Sequence, residues 1–199
     1  ITTLGRGGSD PTAVALAVAL QAERCERYTD VEGVYTTDPR LEPRARKLRD
    51  LGFEEMLELA SHGAKIMHPR AVELAQLYNL PIMVASSFSD QPGTLIHGGP
   101  FMEPTNKVRG IAHDFDVAKI TFRGVPDRPG IAAAVFGPLA DAHVSVDTIV
   151  QNSSLDKLTD LTFTVAKDDL RHALEITRPL AAQIGARDVA ADDRLGKVS

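Results

Sequence analysis

The fold is indicated most directly by the stretch Thr2-Thr3-Leu4-Gly5-Arg6-Gly7-Gly8-Ser9-Asp10-Pro11. Residues 1–4 predict a short strand, and the glycine-rich run after them predicts a turn. Pro11 suits the first helical position, because its fixed φ is already helical and its missing N–H is not needed there. Residues 12–21 are apolar nearly all round. They predict a helix buried on most faces, as in a layered α/β domain.

Strand and helix patterns alternate along the first half of the chain. The predicted elements are a strand at 24–31, a polar loop at 32–49, helices at 53–61 and 70–78, and a strand at 82–86. In the second of these helices, Val72, Ala75 and Leu77 are expected to face the core. Strands that alternate with helices favour a mostly parallel sheet. Residues 88–110 are broken by glycine and proline, so we interpret them as connecting structure with a short strand at 94–96.

A second pattern covers residues 115–192. Its predicted elements are a strand around 117–122, a helix from the turn at 127–130 to about 141, strands at 144–149 and 161–165, a helix at 168–184 and a strand at 186–190. The order βαββαβ is that of the ferredoxin-like fold. We therefore expect an α/β chain of two parts, the second of them ferredoxin-like.

Composition excludes several classes of function. The chain has 199 residues, of which 43% are hydrophobic and 25% charged, with a net charge of −5, values typical of a folded domain and not of disorder. Neither half is basic, which argues against binding to a nucleic-acid backbone. No apolar run reaches membrane-spanning length. The single cysteine, Cys25, excludes an internal disulfide and favours a cytoplasmic location.

The glycine-rich turn is the first candidate site. Glycines let backbone N–H groups approach a ligand, and the following helix directs its positive end to the same place. Arg6 adds a planar cation suited to a carboxylate or a phosphate. Asp10 could take the ammonium group of a ligand. The alternative is an ordinary strand–helix turn with Asp10 as a cap.

Two further candidates follow strands or helices. The loop from Tyr28 to Arg40 leaves a strand, and ligands of open α/β sheets bind beyond the carboxyl ends of strands. Tyr35 could pack on a purine or ribose and Arg40 could reach phosphates; the alternative is a solvated loop with a turn at Asp38-Pro39. Between the two helices, Lys65 could hold a phosphate or simply be a surface lysine. No cysteine or paired acid completes a metal site with the neighbouring histidines.

The fourth candidate lies in the βαββαβ part. That arrangement places the first turn beside the second strand, so Asp127 could meet Asp147, Gln151 and Asn152 around a small zwitterion. The alternative is a helix-capping aspartate with polar side chains at a sheet edge.

Taken together, these motifs resemble the aspartokinases. The resemblance rests on residues 2–10, on Tyr28-Thr29-Asp30 through Asp38-Pro39-Arg40, on Gly63-Ala64-Lys65 with His68-Pro69-Arg70, and on Ser86-Ser87-Phe88. Residues 117–165, with Asp127-Arg128-Pro129-Gly130 and Val150-Gln151-Asn152, resemble the first ACT regulatory domain of that family. The resemblance as a whole implies a partial amino-acid-kinase-type layered α/β sheet at 1–98, a linker at 99–114 and an ACT domain at 115–199.

The resemblance also implies an activity and its residues. Aspartokinases transfer the γ-phosphoryl group of ATP to the side-chain carboxylate of L-aspartate, at the start of lysine, threonine and methionine synthesis. Arg6 would meet a substrate carboxylate, Asp10 the amino group, and Ser9 would lie beside them. The implied ATP-site residues are Thr29, Asp30, Tyr35, Arg40, Lys65 and Ile66, with Mg²⁺ bound together with ATP. The implied site for a lysine or threonine effector consists of Asp127, Gly130, Ala132, Asp147 and Gln151.

Physical chemistry supports such a site independently of the resemblance. A carboxylate must approach a triphosphate, and fixed cations such as Arg6, Arg40 and Lys65 would offset the repulsion between them. The family's amino-terminal Lys-Phe-Gly-Gly segment and second ACT domain are not in this sequence, so we expect this chain alone to be inactive. Arg27 stands where an apolar strand residue is expected, which indicates an edge strand.

Two alternatives stay open. One is a non-catalytic regulatory subunit that binds threonine or lysine, although such a subunit would not need the motifs at 5–10 and 28–40. The other is an amino-acid kinase acting on glutamate or acetylglutamate, which the ACT pattern disfavours. ACT domains commonly pair about a two-fold axis, so a homodimer or a heterotetramer is expected.

Overall fold

The structure is a computed structural model, and it describes residues 7–99, 108–153 and 158–199. The chain divides into two compact units, Ile1–Asp114 with Val198–Ser199, and Phe115–Lys197. Among the described residues, no helix combines the length and apolar character that crossing a membrane requires. The predicted first strand and Arg6 lie outside the described residues.

The first unit is a layered α/β structure. Its elements are α1 (Ser9–Ala19), β1 (Cys25–Thr29), β2 (Asp50–Gly52), α2 (Phe53–Ser61), α3 (Pro69–Leu77), β3 (Ile82–Ser86), β4 (Thr94–His97) and β5 (His113–Asp114). Four strands form one sheet in the order β1-β3-β4-β2. The pairs β1–β3 and β2–β4 are parallel, in agreement with the predicted mostly parallel sheet, whereas β3 and β4 are antiparallel. The strand β2 was not predicted, because its three residues are too short to show a period.

The start of α1 differs from the prediction. The helix begins at Ser9, so Pro11 is the third helical residue and not the first. Proline is tolerated there because the first four N–H groups of a helix have no partner within it. The prediction that α1 is buried on most faces was also wrong. Val14 is its one fully buried residue, and Leu16 and Leu20 are exposed, so the described part of the chain covers a single face.

The core of this unit lies between the sheet and its helices. Val14 of α1 and Cys25 at the start of β1 both belong to this core, and Val72 and Ala75 of α3 are completely buried. Leu77, predicted to face inward, is 76% exposed because it is the last residue of α3. Among the described strands β1 is at the sheet edge, in agreement with the interpretation of Arg27.

The second unit is a ferredoxin-like βαββαβ sandwich, as predicted. Its elements are β6 (Ala118–Pro126), α4 (Ile131–Asp141), β7 (Ile149–Ser153), β8 (Leu158–Val165), α5 (Leu170–Ile184) and β9 (Asp188–Asp192). The antiparallel sheet has the order β7-β8-β6-β9, and both helices pack on one core with it. The predicted strand at 144–149 lies further along, because residues 144–148 approach β8 without forming a regular ladder. The short β10 (Lys197–Val198) follows, and its Val198 belongs to the first unit, where it adjoins β5.

Candidate functional site

Gly7 and Asp10 lie against the segment that joins α2 to α3. Gly7 has a φ of +78°, a conformation that favours glycine, and a Cβ there would lie 3.1 Å from Cδ2 of His68. The backbone N–H of His68 donates to Oδ2 of Asp10 at 3.1 Å. The structure therefore brings together two segments that the sequence separates by 58 positions.

Asp10 is the centre of this contact. Its Oδ1 accepts a hydrogen bond from Nε of Arg27 at 2.8 Å, while its Oδ2 accepts from His68. The side chain of Asp10 is only 11% exposed. It does not cap α1, since it lies in the first turn and the cap position is Gly8, which offers no side chain. Asp10 thus connects α1, β1 and the start of α3, so the capping interpretation of this aspartate is wrong.

Cys25 provides a chemical reporter of this region. Its thiol is buried, and burial raises the pKa of Cys25, with a further increase from the negative charges of Asp10 and Glu26. Because the thiolate is the reactive form, we expect iodoacetamide at pH 8 to alkylate the folded chain much more slowly than the chain in urea. Mass spectrometry of the single cysteine measures this. Equal rates in the two states would contradict the buried position.

The carboxyl end of β1 carries the first proposed nucleotide residues. Thr29 pairs in register with Ser86 of the parallel β3, and the N–H of Ser87 donates to the carbonyl of Thr29 at 2.8 Å. Oγ1 of Thr29 donates to the carboxylate of the exposed Asp30 at 3.0 Å. Two parallel strands therefore end side by side, which is where open α/β sheets bind ligands.

The loop after β1 is folded back on itself. Tyr35 forms an isolated bridge with Lys47, and its hydroxyl donates to Oε2 of Glu32 at 3.4 Å. Burial, and then the nearby Glu32 carboxylate, raise the pKa of Tyr35. The ammonium group of Lys47 lies 3.7 Å from the same carboxylate and donates to the carbonyl of Pro92. This loop is consequently not the freely solvated segment of the alternative interpretation.

A buried threonine holds that loop on the sheet. Oγ1 of Thr94 accepts from the N–H of Val34 at 2.9 Å and donates to the carbonyl of Leu48 at 2.6 Å. Gly33, at a φ of +147°, leaves the space, since a Cβ there would lie 2.5 Å from Oγ1 of Thr94. Thr94 itself is completely buried. Val34 and Leu48, which lie on either side of the segment that contains Tyr35, are thus both bonded to one side chain of β4.

Arg40 is placed differently from Tyr35. Its side chain is 87% exposed. The guanidinium group donates to the Asp38 carboxylate, from Nε to Oδ1 at 3.1 Å and from Nη2 to Oδ2 at 2.9 Å. The Arg40 hydrogen bond lowers the pKa of Asp38 below its usual value, and Asp38 raises the pKa of Arg40. The turn at Asp38-Pro39 is present, as the alternative interpretation expected.

Lys65 and Ile66 lie in the connection between α2 and α3. Lys65 is exposed and Ile66 packs against the core of the first unit. They precede His68, whose backbone binds Asp10, so the same short connection carries the lysine and one partner of Asp10. Ser9, beside Asp10, is exposed at the start of α1.

The proposed effector residues all lie on the surface of the second unit. They are Asp127, Gly130, Ala132, Asp147 and Gln151. Gly130, with a φ of +91°, is the cap of α4, so Asp127 does not cap that helix. Asp147 accepts a hydrogen bond from Lys197. Within the described residues, the structure gives no hydrogen bond that joins Asp127 to Asp147 or Gln151.

Three residues of this arrangement were not found by sequence reasoning as site residues: Arg27, Lys47 and Thr94. Arg27 gave a signal, because it interrupts the apolar face of a strand. Lys47 and Thr94 gave none, since a lysine in a polar loop and a threonine in a strand are both ordinary. Their roles follow from contacts over 45 residues or more.

Comparison with known proteins agrees with these two units. The amino acid kinase family matches residues 1–86, and the ACT domain matches residues 120–182. The aspartokinase of Pseudomonas aeruginosa is 54% identical over all of this chain, which covers 49% of that protein. The chain thus spans about half the length of the curated relatives it matches.

Solved structures give the same result. Escherichia coli aspartokinase III in complex with aspartate and ADP (R-state) is 33% identical, with a TM-score of 0.78 over 99% of this chain and 44% of that one. The same enzyme in complex with lysine and aspartate (T-state) is 34% identical, with a TM-score of 0.73 over 99% of this chain and 43% of that one. An amino-acid-kinase portion followed by an ACT domain is thus what this chain shares with the aspartokinases it is similar to.

Proposed function

We propose that this chain is the carboxyl-terminal part of an aspartate kinase catalytic domain, residues 1–98, joined through 99–114 to an ACT regulatory domain at 115–199. The proposed reaction is ATP-dependent phosphorylation of the side-chain carboxylate of L-aspartate, which gives 4-phospho-L-aspartate. Lysine, threonine or both would inhibit it by binding to the ACT domain.

The observation that carries the proposal is the position of Asp10. A largely buried carboxylate stands at the start of α1, beside the glycine-rich turn, and is bonded to β1 and to the connection before α3. Such a carboxylate suits the ammonium group of an amino acid, and Arg6 would receive a substrate carboxylate, with Ser9 beside them. Arg6 lies outside the described residues, so its role rests on the resemblance alone.

The nucleotide is proposed to bind beside the aligned ends of β1 and β3. Thr29 and Asp30 lie at the end of β1, and Tyr35 offers a partly buried ring in a loop that Thr94 holds in place. Arg40 and Lys65 are exposed cations, and Ile66 adjoins Lys65. These groups have the chemistry that a triphosphate requires, because positive charge offsets its repulsion of the carboxylate.

Across the described ranges, no three histidine, cysteine or acidic side chains converge as metal ligands. Bound ATP, accompanied by Mg²⁺, would supply the phosphoryl group. The chain's own residues are proposed to hold the phosphates, orient aspartate and place its carboxylate next to them.

The effector is proposed to bind the second unit at Asp127, Gly130, Ala132, Asp147 and Gln151. All five residues are exposed, and two of them are carboxylates that suit an ammonium group. The lysine complex of the related E. coli enzyme supports an amino-acid effector. Pairing of ACT domains in a homodimer or a heterotetramer would bring two such surfaces together.

The test is acyl phosphate formation by the full-length protein. Hydroxylamine traps an acyl phosphate, so we expect product with ATP and L-aspartate, little with glutamate or acetylglutamate, and less with lysine or threonine present. The 199-residue chain alone is expected to give no product. Effector binding without nucleotide binding by the full-length protein would favour a regulatory subunit instead, and a preference for a longer acidic substrate would favour another amino-acid kinase.

A further inference from the structure

We propose that Arg27 is a positioning residue for Asp10 and thereby sets the affinity for the substrate's ammonium group. This inference rests on the proposed function, in which Asp10 receives that group. It adds a residue that neither the motifs nor the composition assigned to the site.

Arg27 lies on the inward face of β1. Burial alternates along this strand, so that Cys25, Arg27 and Thr29 share the side turned toward the protein, whereas Glu26 and Tyr28 are exposed. An apolar side chain would normally occupy the central position of this face. Instead a guanidinium group lies there with its side chain 27% exposed.

The contact between Arg27 and Asp10 is direct and largely shielded from water. Nε of Arg27 donates to Oδ1 at 2.8 Å across 17 positions of the chain, and the aspartate is the less exposed partner. Nη1 of Arg27 is buried and has no hydrogen-bond partner among the residues that the structure describes. A buried donor without an acceptor destabilises a protein, and buried polar groups of this kind are found mainly at functional sites.

Two opposing effects decide what Arg27 does to substrate binding. With His68, it fixes the orientation of the Asp10 carboxylate, and an ionised carboxylate has about four lone-pair positions, so room remains for an ammonium donor. Its positive charge, however, repels the ammonium group. We expect the effect on orientation to dominate. Without Arg27, the Asp10 carboxylate would keep, among the described residues, only the hydrogen bond from His68 and would turn toward solvent.

The experiment compares Arg27→Leu and Arg27→Lys in the full-length protein with the parent. For Arg27→Leu, KM for L-aspartate is expected to rise about ten- to hundredfold, because the Asp10 carboxylate would be misplaced, while kcat changes little. Arg27→Lys keeps a charge within reach of Asp10 and is expected to restore part of the loss. Arg24→Leu is the matched control, because Arg24 precedes the same strand but pairs with Glu26 at the surface.

Succinate separates positioning from a merely structural role. It is aspartate without the amino group, so its inhibition constant against L-aspartate should be nearly the same for Arg27→Leu and the parent. An equal loss of affinity for succinate and aspartate would overturn the proposal, as would an unchanged or lower KM for aspartate in Arg27→Leu. Failure of the parent protein to phosphorylate aspartate would instead refute the proposed function.

Discussion

Replacement of Phe163 with alanine is expected to destabilise the second unit by about 3–5 kcal/mol, the usual cost of deleting a buried aromatic ring. Phe163 is completely buried in the middle of β8, between Ile120 of β6 and Ile149 of β7. Its ring stacks against the ring of Phe122, with 6.3 Å between the ring centroids, and packs edge to face with Phe136, with 5.3 Å between the centroids. One substitution would therefore open a cavity among sheet, helix and neighbouring rings.

Urea unfolding followed by circular dichroism measures this loss. Phe163→Leu, which keeps most of the volume, should lose less stability. Phe88→Ala is the control for removal of an aromatic side chain, since Phe88 is 84% exposed, and we expect it to change the unfolding free energy by less than about 0.5 kcal/mol. A Phe163→Ala protein that unfolds at the parent's urea concentration would show that the core of this unit is not organised around these rings.

The second large effect is expected for Thr94→Val. Valine keeps the shape of threonine but removes the hydroxyl that bonds Val34 and Leu48, and a buried group left without its partner costs about 1–3 kcal/mol. Two backbone groups are affected, one at each end of the loop that contains Tyr35. We therefore expect both a lower unfolding free energy and, under the proposed function, a higher KM for ATP in the full-length protein.

Thr94→Ser is the matched variant, because serine retains the hydroxyl, and it should keep a KM for ATP close to that of the parent. Thr12→Val applies the same chemical change to an exposed hydroxyl that bonds the carbonyl of Gly8. It is expected to have a smaller effect on stability. If Thr94→Val lowers stability but leaves KM for ATP unchanged, Thr94 holds the loop without helping to shape the nucleotide site.

The sequence predicted most elements because their signals are local. The helix at 53–61 and the strand at 82–86 have the predicted bounds, and the order βαββαβ is correct. Errors occur where a partner distant in the chain decides the outcome. The apolar surface of α1 indicated burial on most faces, yet burial depends on which segments cover a helix, and its own residues do not specify them.

The sequence by itself determined the two-part α/β organisation and the polar loop after β1, since periodicity, proline and glycine act over a few residues. Only the tertiary structure decided which groups meet Asp10. Arg27 and His68 reach it from 17 and 58 positions away, and Thr94 reaches Val34 across 60. The physical reason is that hydrogen bonds and ion pairs form between groups that packing brings within about 3 Å, whatever their separation along the chain.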